Sequence, residues 1–263
     1  MKDFEYILSD NIFVNTKYVN KNINTIASDL VDDGSIQYNM NEHGYRSPNF
    51  NQKSDYNILT LGCSWTMGVG VDNDNIWPNI VGKLIDKSAI VFNYGTYGVS
   101  PSFISKNFYK IITSEIKPDL VMIMWPGFSR RDYLKSDGTF KKIGGFRLAN
   151  DKDLVWKNDD EDILFVELRN DYQDLMEFWE AYKLVELTAK LYNIKVYHTI
   201  AGYYYEVFKN LEYMLKNTID YETFFDPILC YKNDLKGRDN HHPGADWHRT
   251  FAKEFYTYIK NRL

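Results

Sequence analysis

Cysteine is nearly absent from this chain. Cys63 and Cys230 are the only two, too few for a disulfide scaffold or a cysteine-rich zinc site. Proline is scarce as well, with 7 in 263 residues, so long extended linkers are not expected. No apolar run approaches the roughly 18 residues that a membrane-spanning helix needs. Basic residues are not in excess: 31 Lys and Arg stand against 36 Asp and Glu, for a net charge of -5. That balance argues against a general nucleic-acid binder, which carries a basic stripe. The start, Met1-Lys2-Asp3-Phe4-Glu5, lacks the apolar segment of a signal peptide, and a reducing cytoplasm is the expected compartment. What is present is a globular composition, 44% hydrophobic and 25% charged. It includes 21 Tyr and 16 Phe, so cores and clefts should be rich in rings.

Hydrophobic patterning divides the chain unevenly. Residues 1–55 lack a strong period and read as an N-terminal extension packed on a main domain, residues 56–263. Within the extension, Asn41-Glu42-His43-Gly44-Tyr45-Arg46-Ser47 reads as a loop with a glycine turn. From Tyr56 strands and helices alternate. Ile58–Leu61, Ala89–Asn93, Leu120–Trp125 and Ile194–Ile200 read as strands, the third apolar enough to be buried on both faces. Helices are expected from Trp77-Pro78, from Ser100-Pro101 toward Ile116, over Tyr172–Tyr192, over Tyr203–Leu215 and over Asp246–Arg262. The stretch 131–170 reads as an insertion over the sheet's carboxyl edge, either a lid or a solvated excursion. Such alternation implies an α/β fold, a three-layer α/β/α sandwich with a mostly parallel central sheet.

In a parallel sheet the strand-to-helix exits line one edge, where ligands bind. The exits here are Gly62–Gly68, Asn93–Ser100, Trp125–Arg130 and Thr199–Tyr203. Ser64, between Gly62 and Gly68, either caps a helix or presents a nucleophilic hydroxyl. A serine nucleophile needs a base and an acid to orient it. Asp239-Asn240-His241-His242-Pro243 offers both, with an acid three residues before His242. The same loop also reads as exposed histidines, or as a partial metal site short of ligands. His43 lies in the N-terminal loop. His198 reads as a core or edge residue of its strand, and His248 as a structural neighbour. Cys63 reads as a small buried filler. Trp65, Tyr94 and Tyr97 line either an acceptor cleft or the core.

Three of these stretches, in order along the chain, resemble the sequence blocks of the SGNH (GDSL-like) hydrolases. Gly62-Cys63-Ser64-Trp65-Thr66-Met67-Gly68 resembles the first block. Asn93-Tyr94-Gly95-Thr96-Tyr97-Gly98-Val99-Ser100 resembles the second, and Asp239-Asn240-His241-His242-Pro243 the last. Asn41–Ser47 also looks like an Asn-x-x-Gly-aromatic-Arg stretch that precedes the first block in some members. The resemblance covers about Asn57 to the C-terminus, apart from the insertion, and implies an SGNH/flavodoxin-like sandwich. It makes Ser64 the nucleophile, His242 the base and Asp239 its orienting acid. The backbone N–H groups of Ser64 and Gly98 would form the oxyanion hole, and a glycine suits a close backbone approach.

One block departs from the pattern. The family places an asparagine side chain after the third strand as a further oxyanion donor, and here Phe128 takes its position. Losing one such donor costs about 10²–10³ in rate. Ser129 or Arg130 would then substitute, unless Arg130 and Arg131 are surface residues paired with Asp132 or Asp137. The expectation is a serine esterase acting on small acyl esters, O-acetylated carbohydrate among them, with no cofactor and no metal. The alternatives are an O-acyltransferase on the same scaffold and a non-catalytic module that keeps the fold. Expected partners are small-molecule or carbohydrate esters, with no nucleic acid and no membrane span.

Overall fold

The computed structural model describes residues 22–23, 36–52, 54–113, 117–134, 140–143, 170–201, 219–220, 222–226, 236–238 and 242–263. The four strands expected from the apolar runs form one sheet. These are β3 (Asn57–Gly62), β4 (Ile90–Gly95), β5 (Leu120–Trp125) and β8 (Lys195–Ile200), side by side in the order β4-β3-β5-β8. Every pairing is parallel, with Leu61 opposite Tyr94 on one side and Ile123 on the other. In order of appearance the strands lie 2-1-3-4, the order of flavodoxin-like sheets, whose switch point falls between the first and third strands, here β3 and β5.

Burial explains which strand is central. All six residues of β5 are buried, in keeping with an unbroken apolar run covered on both faces. Helices cover both sides. On one, α2 (Trp77–Ile85) packs with α5 (Ala245–Ile259), where Trp77 meets Phe251 and Phe255 edge-on at 5.4 and 5.9 Å. On the other, α3 (Pro101–Thr113) packs with α4 (Asp171–Tyr192), and Phe178 meets Trp125 edge-on at 5.4 Å. Ser100 caps α3 as its sequence indicates, accepting from the N–H of Phe103 at 3.1 Å. Asn170 does the same for α4, whose chain then leaves through Asn193 in the left-handed region.

Short elements complete the description. Asn22–Ile23 (β1) pairs antiparallel with Tyr38–Asn39 (β2). Arg131–Leu134 (β6) and Phe140–Ile143 (β7) pair antiparallel at the start of the predicted insertion. The expected helix over 203–215, Cys230 and residues 144–169 of the expected insertion lie outside the described residues.

Two rings weighed as cleft residues go to the core: Trp65 and Tyr94 are buried, whereas Tyr97 is 41% exposed. His198 is fully buried. Its Nδ1 accepts from the indole N–H of Trp125 at 3.1 Å, and its Nε2 lies 2.7 Å from Glu186. This pattern fixes the neutral tautomer with the proton on Nε2. No helix among the described residues is long and apolar enough to cross a membrane. No group of three or more His, Cys, Asp or Glu among them is placed to hold a metal ion.

Candidate active site

The site forms where β3 stops. Its last residue is Gly62, Cys63 remains extended, and a one-turn helix, α1 (Ser64–Met67), follows at once. Cys63 is buried and unbridged, as a filler should be. It also takes the N-cap position, so the capping reading of Ser64 is overturned. Ser64 is the first helical residue, and α1 has no side-chain cap. Its hydroxyl goes elsewhere: Ser64 Oγ lies 2.9 Å from His242 Nε2, across 178 residues of sequence. At that separation the hydroxyl can donate to the ring nitrogen. Ser64 is 2% exposed, so the pair sits in a recess.

Two loops set this distance. His242 stands just before α5, whose N-cap is Gly244. The N–H of Gly237 donates to the His242 carbonyl at 2.7 Å, and Lys236 bridges Pro243. This loop is fastened to the turn that follows α1. The N–H of Arg238 donates to Gly70 O at 3.1 Å, and its guanidinium pairs with Asp72 at 3.2 Å. Asp239 itself lies outside the described residues.

The second block supplies a brace through its asparagine. Asn93 Nδ2 donates to Thr66 O at 2.9 Å, while Asn93 Oδ1 accepts from the N–H of Gly95 at 2.8 Å. Its own N–H donates to Ser47 Oγ at 3.1 Å. The exit of β4 is thereby tied to α1 and to the N-terminal loop. Gly95 runs so close to α1 that a Cβ there would stand 2.4 Å from Met67 N. Only glycine permits that approach. Gly98, three residues on, has φ +72°, a left-handed value that favours glycine.

The exit of β5 is built differently. Phe128 is 2% exposed and stacks on Phe178 at 4.1 Å, so the residue in the asparagine's place belongs to the core beneath α4. Ser129 and Arg130 are both buried. The reading of the two arginines as surface residues is corrected. Arg131 is buried and pairs with Asp174 and Glu177 of α4, each at 2.6 Å. It also donates to the carbonyls of Phe128 and Arg130 at 2.6 and 3.1 Å. Those bonds hold the turn closed over α4. Asp132 instead accepts from the N–H of Ser100 at 2.8 Å, linking this exit to the Gly98 loop.

His248 lies behind the pair on α5. It is fully buried, and its Nδ1 accepts from the N–H of Trp77 at 3.1 Å. Burial first, then the nearby Arg46 and His242, press its pKa down to about 3. It stays neutral under ordinary conditions. The sequence alone does not single out Arg46, Asn93, Arg238 or Asp132 for a chemical role. The signal for Arg46 was its place in the Asn-x-x-Gly-aromatic-Arg stretch. Asp132 and Arg238 carried none beyond their charge.

No protein-family profile matches the chain, and no curated protein matches its sequence. Solved structures do match its fold. Est24, a carbohydrate acetylesterase from Sinorhizobium meliloti, aligns at 13% identity over 80% of this chain and 100% of that one, with a TM-score of 0.50. The aryl esterase of M. smegmatis aligns at 12% identity over 79% and 100%, with a TM-score of 0.47. A member of the lipolytic protein G-D-S-L family from Veillonella parvula aligns at 15% identity over 79% and 100%, with a TM-score of 0.43. The fold, an α/β sandwich on a parallel four-stranded sheet, is similar to that of Est24.

Proposed function

We propose that this protein is a serine esterase acting on small acyl esters, O-acetylated carbohydrate among them. The observation that carries the reading is the 2.9 Å approach of Ser64 Oγ to His242 Nε2. A hydroxyl and an imidazole brought together from distant parts of a chain, at a sheet's carboxyl edge, form the working pair of an acyl-transfer site. The likeness of the fold to that of Est24 supports it. The proposed acid is Asp239, supported by its spacing from His242 and by the family resemblance.

In the proposed reaction Ser64 Oγ attacks the acyl carbonyl as His242 Nε2 takes its proton. The oxyanion that forms is held by the N–H of Ser64, which as the first residue of α1 has no intrahelical acceptor, and by that of Gly98. Collapse of the adduct breaks the ester C–O bond, and His242 returns the proton to the leaving alcohol. Water, deprotonated by the same imidazole, then attacks the acyl-enzyme and regenerates Ser64. With Phe128 in the core, Ser129 and Arg130 are the proposed source of a further donor at the β5 exit.

The test is turnover of a p-nitrophenyl acetate panel together with labelling by a fluorophosphonate probe. Wild-type protein is expected to do both and Ser64→Ala neither. Hydrolysis that persists undiminished in Ser64→Ala sinks the assignment. Failure of folded wild-type protein to label leaves a non-catalytic module with this fold.

A further inference from the structure

Arg46 is 3% exposed, an unusual place for a guanidinium. Its Nη1 donates to Gly68 O at 2.8 Å and Val71 O at 2.9 Å, with Met67 O at 3.3 Å. Its Nη2 donates to Gln37 O at 3.5 Å. The face of the guanidinium lies 4.6 Å from the ring centre of Tyr38, whose hydroxyl accepts from the N–H of Gly70 at 2.9 Å.

Those carbonyls mark a particular piece of backbone. Met67 and Gly68 close the turn that begins at Ser64, with the N–H of Gly68 donating to Ser64 O at 2.9 Å. Val71 ends the next turn, which carries Gly70 and leads to Asp72, the two anchor points of the His242 loop. One planar side chain therefore fixes the segment to which both reacting residues are attached. Arg suits this role because its donors form a rigid fork, whereas a lysine ammonium is a point donor on a flexible stem. The loop that delivers it is prepared in its own right. Asn41 Oδ1 accepts from the N–H groups of His43 and Tyr45 at 2.9 and 3.0 Å, and Ser47 Oγ holds Asn93.

We infer that Arg46 is a positioning residue for the Ser64–His242 pair, holding the 67–72 backbone that sets their separation, so that the segment 41–47 is a working part of the site. The inference rests on the esterase reading only for its kinetic consequence; the geometric one stands apart. Displacing reacting groups by about 1 Å through a remote change can lower a rate about 10²-fold.

The experiment compares wild type, Arg46→Lys and Arg46→Ala. A crystal structure of Arg46→Lys, which keeps the charge and the stem, is expected to show Ser64 Oγ and His242 Nε2 beyond hydrogen-bond reach, over about 3.5 Å. An unchanged separation overturns the inference, and this is read whether or not any ester is hydrolysed. With p-nitrophenyl acetate, kcat is expected to fall about 10²-fold in Arg46→Ala and less in Arg46→Lys, with KM within about twofold of wild type. Added guanidinium ion should restore part of the Arg46→Ala loss. A folded Arg46→Ala protein with unchanged kcat and a lowered Tm makes the residue a strut only and overturns the proposal. Should Arg46→Ala not fold, Arg46→Lys carries both measurements. Absence of turnover in wild type defeats the esterase reading and leaves the distance measurement to decide this one.

Discussion

The exits of β3 and β5 are neighbours on one sheet edge, yet they are held in opposite ways. At the β3 exit, hydrogen bonds from Asn93 and Arg46 converge on the backbone around Ser64, and the serine hydroxyl is left to face His242. At the β5 exit, Phe128 turns inward onto Phe178, and Arg131 locks the turn to Asp174 and Glu177 of α4. The first exit orients a polar group toward a recess. The second commits Phe128 to packing and Arg131 to a buried ion pair. Of the side chains at that exit, Ser129 and Arg130 remain as the polar ones that neither arrangement uses.

That contrast can be broken at several points. The largest expected effect is on rate: Ser64→Ala should lower ester turnover by roughly 10⁴-fold or more while leaving the melting temperature near wild type. A kinetic assay beside a thermal melt checks both halves. Next comes the ion pair. Arg131→Met takes the paired cation from the buried carboxylate of Asp174, which is 4% exposed, and should cost about 3–5 kcal/mol, measured by urea unfolding. A loss below about 1 kcal/mol would mean that the β5 exit is not held as the geometry indicates. Phe128→Ala should cost about 3 kcal/mol for the lost packing with kcat near wild type. A fall in kcat at unchanged stability would instead place Phe128 in the chemistry and end the distinction between the exits.

The smallest expected effect is on pH dependence. Folded His248 is held near pKa 3 by burial, against about 6.5 in the unfolded chain. Between those values the unfolded chain binds a proton that the folded one does not, so stability falls as pH falls through this window. The contribution is fully present above about pH 6.5, and about 2 kcal/mol of it should be lost by pH 5. His248→Gln should flatten that limb of a stability–pH curve, and an unaltered slope would show that other groups carry it.

How much of this was legible depends on range. The four sheet strands announced themselves because their apolar runs are local, and β5 matches its expected bounds of Leu120–Trp125. The α3 start was equally plain, since Ser100-Pro101 is a local capping signal. Helix α4 begins at Asp171, one residue before the expected Tyr172, because Asn170 caps it. What misled was charge without context. The surface alternative for Arg130 and Arg131 fails because both are buried, and Asp174, which neutralises Arg131, lies 43 positions away on α4. The loop 41–47 read as an ordinary turn because carbonyl oxygens, the partners of Arg46, leave no mark in side-chain chemistry.

By itself the sequence determined the periodicities, and through them the parallel sheet and its order of helices and strands. It also marked Ser64 and His242 as a serine and a histidine beside glycine- and proline-bounded exits. Only the tertiary structure decided that these two meet at 2.9 Å and that Cys63, not Ser64, takes the N-cap. It alone decided, too, that Phe128 goes to the core. The reason is physical. Hydrophobic period and capping act over a few residues and are written in neighbouring side chains. The approach of residues 178 apart depends on the summed packing of every element between them.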